Sequence, residues 1–181
     1  KLPDVHFQQF ETLSLFTEKS LPMDLADLPH TFSQFRKLVE KQGDRCTDRL
    51  RIRTMTALPP PPGFAKDNRG DCPPITEPEH DAGFRGGEEA GLRQLREYLF
   101  VSHGIARYKE TRNALDDPLA SSRLSPWLAN GCLSVREVTG MIDEYEQSET
   151  RNDSTYWLWF ELLWREYFYW YAMKHGRWLF L

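Results

Sequence analysis

Two groups of residues could do chemistry, and both lie in the second half of the chain. The first is in "STYWLWFELLWREYFYWYAMKHG", residues 154–176, where ten of the sixteen residues from Tyr156 to Tyr171 are aromatic. Glu161, Arg165 and Glu166 are the charges among them. Glu161 and Arg165 stand four apart with the acid first, the favourable order for an ion pair along a helix. Exposed, such a pair contributes only about 0.3–0.5 kcal/mol. Trp157, Trp164 and Phe168 share its face, and Trp159, Phe160, Leu163, Tyr167 and Trp170 line the other side, so the pattern predicts a helix buried all round. Breaking a buried pair typically costs about 3–5 kcal/mol. Two readings are open. Carboxylate, guanidinium and indole together suit a cavity for a planar, polar ligand: a stacking face, an acceptor for N–H donors and a donor for oxygen or phosphate. The other reading is a buried ion pair that staples helices.

The second group is "ASSRLSPW". Ser121, Ser122, Ser125 and Arg123 precede what reads as a helix start, with Ser125 as N-cap and Pro126 at the first helical position. Hydroxyls, a guanidinium and backbone N–H groups there could hold a phosphate or diphosphate. Serine-rich caps are common without any ligand. No nucleophile–base or metal-ligand spacing emerges from His6, His30, His80, His103 and His175, and no GxGxxG or GxxxxGK[ST] loop is present.

The elements that must position these groups read as helices. Thr31 and Gln34 open "HTFSQFRKLVEKQG" in a capping-box pattern, Phe32, Phe35, Leu38 and Val39 share a face, and Gly43 is placed to end it. Leu92, Leu95 and Leu99 recur at helical spacing after Glu88 and Glu89. Ser134 and Glu137 repeat the capping box ahead of a Val138, Met141, Ile142 and Tyr145 stripe. Ser154 opens the aromatic helix and Gly176 closes it. Between residues 51 and 83 seven prolines crowd into positions 59–78, which excludes helix and makes an extended, semi-rigid connector.

The 181 residues carry a formal charge of −4, so any polyanion site must be a local patch. Cys46, Cys72 and Cys132 are scattered singly, against a disulfide framework or zinc site and in favour of a reducing compartment. Three charges interrupt segment 156–173, against a membrane span. The chain stops just after its most hydrophobic segment, as expected of a piece of something longer.

"YKETRN", "SSRLSPWLANGCLS" and "STYWLWFELLWREYF", in that order and spacing, resemble the photolyase–cryptochrome family in its DASH branch. "DLPHTFSQFRKLVE" is similar to the segment that leads into that branch's linker. The resemblance implies an all-α region, the first half of a helical FAD-binding domain, behind an irregular, Pro-rich linker. Residues 1–30 then correspond to the tail of a preceding antenna domain, 31–85 to the interdomain helix and linker, and 86–181 to the first part of the FAD domain. It implies FAD as cofactor, with a folate-type antenna pigment confined to the domain before residue 1. The implied partner is DNA containing pyrimidine dimers, single-stranded by preference, in an intracellular, reducing compartment (cytoplasm, organelle or nucleus).

By motif, Tyr108 corresponds to a tyrosine lining the FAD site. Ser121, Ser122, Arg123, Leu124 and Ser125 correspond to the run that grips the diphosphate and ribitol, and Arg165 to an arginine near the cofactor. Glu161 corresponds to the acid that hydrogen-bonds the lesion bases, and Trp164 to the tryptophan that packs on the lesion. Leu158 stands where many photolyases have a flavin-contacting tryptophan, and Asn130 where an apolar residue is expected. The parent is thus expected to be a light-driven deoxyribodipyrimidine photolyase, this chain alone being inactive. The alternatives are a light-sensing flavoprotein without repair activity and a helical interaction module.

Overall fold

The computed structural model describes residues 12–43, 45, 84–114 and 116–180, the side chain of Phe180 excepted. The Pro-rich connector, Cys46 and Cys72 lie outside these. The chain divides into a body of residues 1–49 with 85–181 and a second unit, 50–84. Every described helix belongs to the body. Among the described residues there is helix and no strand.

Helix α1, Phe32–Gln42, starts and ends as its sequence implies, with Gly43 in the left-handed conformation at φ 85° donating its N–H to Val39 O. Thr31 occupies the N-cap position without a side-chain cap bond, so the expected capping box does not form. Phe32, Phe35 and Val39 are buried, while Leu38 is exposed at the edge of the stripe.

Helix α2, Glu88–Arg96, runs into a π-helical turn over Glu97–Val101. Ser102 closes that turn by donating its N–H and its Oγ to Glu97 O, at 2.9 and 3.0 Å. The wider turn brings Tyr98 and Leu99 together into the core, both fully buried. A 3-10 turn, Gly104–Arg107, leads directly into the short α3, Tyr108–Thr111.

Helix α4, Ser125–Ala129, is only five residues long. Its N-cap is Leu124, not Ser125: Leu124 has helical angles and its carbonyl accepts from Leu128 N at 3.0 Å. Helix α5, Val135–Ser148, is capped by Ser134, whose Oγ accepts from Arg136 N, and buries Val138, Met141, Ile142 and Tyr145 as the stripe implies.

Helix α6, Asp153–His175, is the axis of the body, touched by α1, α3 and α5. It begins before Ser154 because Asn152 caps it twice, accepting from Ser154 N and Thr155 N at 2.9 and 3.0 Å. Thr155 Oγ1 reciprocates by accepting from Asn152 N at 3.2 Å. The helix is not buried all round. Leu158, Trp159, Leu162, Leu163, Glu166, Tyr167 and Trp170 are buried, but Trp157, Phe160, Glu161, Trp164 and Arg165 are half-buried and Phe168 is 60% exposed. The reason is packing: α1, α5 and residues 13–16 pack on α6, while Lys109 of α3 and Arg112 just after it reach α6 at Asp153 and Glu161.

Candidate functional site

The partly open face of α6 carries Trp157, Glu161 and Trp164 in successive turns. Phe32 of α1 backs Trp164: the rings stack with centroids 3.7 Å apart and planes at 14°. On its outer side Trp164 stacks on Phe168 at 5.4 Å. An indole held between two rings is a rigid wall with an edge left for a further planar group.

Glu161 does not pair with Arg165. Its Oε1 forms an ion pair with Nη1 of Arg112, at the end of α3. Both side chains are about one-third exposed (30% and 31%), so the pair is partly screened and far from the buried limit. Among the described residues this is the one bond that Glu161 makes, leaving Oε2 free to accept. The Arg112 guanidinium also lies 5.6 Å from the Trp157 ring centroid, and Lys109 Nζ lies 5.2 Å from the same ring. Tyr108, one turn before Arg112, is buried. Burial pushes its phenol up, the Glu161 charge adds to this, and Arg112 opposes it. Tyr108, Arg112, Glu161 and Trp164 therefore form one neighbourhood of a phenol, a cation, an acceptor and an indole.

The serine run lies on the loop that follows α3. Thr111 Oγ1 donates to Ala120 O at 2.7 Å, and Gln94 Nε2 to Ser122 O at 3.3 Å, tying the loop to α3 and α2. Ser121 and Ser122 are half-buried, Leu124 is buried, and Ser125 and Arg123 are exposed. Arg123 is held at φ 53°, which turns the chain sharply into α4. Hydroxyls and a guanidinium form a donor-rich set suited to an anion. A five-residue helix adds little dipole to it.

Arg165 points elsewhere: its Nη1 donates to Leu13 O at 2.8 Å. The buried acid of the helix is Glu166, fully enclosed, which accepts from Leu15 N at 2.8 Å, Phe16 N at 3.1 Å and Trp170 Nε1 at 2.7 Å. Burial pushes its carboxyl above the usual range, against the pull of these three donors. Sequence reasoning assigned no role to Arg112 or Glu166. For Glu166 a signal existed: it falls in phase with Trp159, Leu163 and Trp170, on the stripe that is otherwise wholly apolar. For Arg112 there was none, since its partner lies 49 positions away.

No family model matches the chain. It is 44% identical over 180 residues to a cryptochrome DASH of Idiomarina loihiensis, covering 99% of this chain and 39% of that protein. To a cryptochrome DASH of Vibrio parahaemolyticus it is 46% identical, covering 98% of this chain and 38% of that one. The crystal structure of a Synechocystis cryptochrome superposes with a TM-score of 0.73 at 37% identity, over 94% of this chain and 36% of that one. The helical body is thus that of a photolyase–cryptochrome domain. Within that class the chain belongs to the cryptochrome DASH family. It spans about two fifths of the length of these relatives. An Arabidopsis relative, 38% identical, is described as chloroplastic/mitochondrial. No described helix is long and apolar enough to cross a membrane.

Proposed function

We propose that the chain supplies one wall of the FAD site and the lesion-facing wall of a light-driven DNA photolyase that acts on cyclobutane pyrimidine dimers, with single-stranded DNA preferred. The observation that carries this reading is Glu161 beside Trp164 on the partly open face of α6, with one carboxylate oxygen held by Arg112 and the other free. A base extruded from a stack offers N–H donors and a planar face, and an extruded base costs less to present from a single strand than from a duplex. Glu161 Oε2 would accept from the N–H groups and Trp164 would pack on the face. FAD, when bound, supplies the electron on illumination. The chain's part in holding it falls to Tyr108 and the donors of Ser121, Ser122, Arg123 and Ser125, with Leu124 closing the loop from behind. Arg165 donates through Nη1 to Leu13 O in this arrangement, so a cofactor contact by it would use its other donors or a release from that carbonyl.

A light-sensing flavoprotein without repair needs the flavin side but has no use for an open acceptor next to an indole, which favours repair over it. The test is Glu161→Ala in the full-length protein, read as repair quantum yield on a dimer-containing oligonucleotide alongside flavin stoichiometry. A hydrogen bond to a charged group contributes about 1.5–3 kcal/mol, so lesion affinity or repair should fall by roughly one to two orders of magnitude. Flavin content should hold, because the 121–125 loop is untouched. Glu161→Gln should be milder, since an amide oxygen still accepts. Normal repair by Glu161→Ala, or loss of flavin with lesion affinity intact, overturns the assignment.

A further inference from the structure

The segment Leu13–Phe16 is held in an unusual way. Ser14, Leu15 and Phe16 are fully buried, yet the main-chain groups of this stretch are met by side chains. Leu13 O accepts from Arg165 and Ser14 O from Arg136 Nε, each at 2.8 Å. Leu15 N and Phe16 N donate to the two oxygens of Glu166, and Phe16 O accepts from Ser14 Oγ at 2.6 Å. Helices α5 and α6 keep their own backbone hydrogen bonds whether or not this segment is in place. The segment is thus tied to the helices by these side-chain bonds and by the burial of Leu15 and Phe16, and Glu166 is the group with most to lose if it opens locally.

We propose that Glu166 is the keeper of a latch: it docks Leu13–Phe16 onto α6, and this docking decides where the Arg165 guanidinium points. With the segment docked, Leu13 O takes the guanidinium. With it undocked, the acidic side chain on the same helical face is Glu161, one turn back and within side-chain reach. Arg165 is thus shared between a main-chain carbonyl and the face that carries Glu161 and Trp164, and the state of the N-terminal segment sets the division. Two acidic side chains of one helix, Glu161 and Glu166, are coupled in this way although they lie on different faces.

The test uses this chain without ligand, so it stands apart from the proposed function. Glu166→Gln replaces one acceptor oxygen by an NH2 that must confront an N–H. Native-state hydrogen exchange should show the Leu15 and Phe16 amides opening about 10–100 times faster, with amides of α5 such as Val138 and Ile142 unchanged. Arg136→Gln, which leaves Glu166 in place and removes the Nε bond to Ser14 O, should give the same local pattern at about three- to tenfold. A Glu161/Arg165 double-mutant cycle should show no coupling in the wild type and measurable coupling in the Glu166→Gln background. The latch is refuted if Leu15, Phe16 and α5 amides accelerate together in both variants, if neither variant changes them, or if the cycle gains no coupling.

Discussion

At the scale of single residues, helical spacing names neighbours but misses the partners that the fold supplies. Glu161 and Trp164 stand together on the open face, but the counter-ion is Arg112 and not the residue one turn on. Spacing along a helix shows which side chains can reach each other. It does not show which will, because a guanidinium from α3 and a carbonyl at Leu13 compete for the same groups, 49 and 152 positions away. The tyrosines give a measurable consequence of burial. Tyr98, Tyr108, Tyr145, Tyr156 and Tyr167 are all pushed above the ordinary phenol value, burial being the first cause in each. Tyr156 reaches about 12, its hydrogen bond to Glu40 at 2.5 Å adding to burial. The native chain therefore retains protons that the unfolded chain loses from about pH 10 upward. The stabilisation is fully present below pH 10 and fades as the pH rises through the folded values. Absorbance at 295 nm should show these phenols ionising late and together with loss of helix; independent ionisation near pH 10 in a folded chain would contradict the burial described.

At the scale of elements, the long periodic helices were legible, and the errors sit at their ends and at one irregular turn. Asn152 opens α6 in place of Ser154 because an Asn side chain two residues upstream satisfies two N–H groups at once. Asn152→Ala should cost about 1 kcal/mol in urea unfolding. The π turn at Glu97–Val101 left no mark in the apolar spacing, since Leu95 and Leu99 suit either turn. Its fit is tight: a methyl group on Gly104 would run into the Tyr98 ring. Gly104→Ala should destabilise by about 1–3 kcal/mol through overpacking. Tyr98 Oη has no hydrogen-bond partner among the described residues. Tyr98→Phe should therefore be neutral or stabilising by about 1 kcal/mol, the opposite sign at the same contact, measured by the same midpoints.

At the scale of the whole molecule, the all-helical architecture and the order of its helices follow from periodicity, whereas the docking of residues 13–16 follows from contacts that no local pattern encodes. The expectation that α6 is enclosed on every side fails on the open face, and this has a consequence in solution. Phe168, Met173 and Trp178 are 60%, 56% and 69% exposed along the end of α6 and the turn after it. Apolar patches of this kind drive association. Sedimentation velocity should show concentration-dependent self-association that Phe168→Ser with Trp178→Ser weakens; a monomer at every concentration would show the patch to be inert. The docked segment has a consequence in time as well. Glu166 lies 151 positions after Leu15. Synthesised at about 5–20 residues per second, the chain makes that carboxylate roughly 8–30 s after the leucine. For that interval Leu15 and Phe16 are without the carboxylate that finally holds them, so two apolar residues made early are housed late.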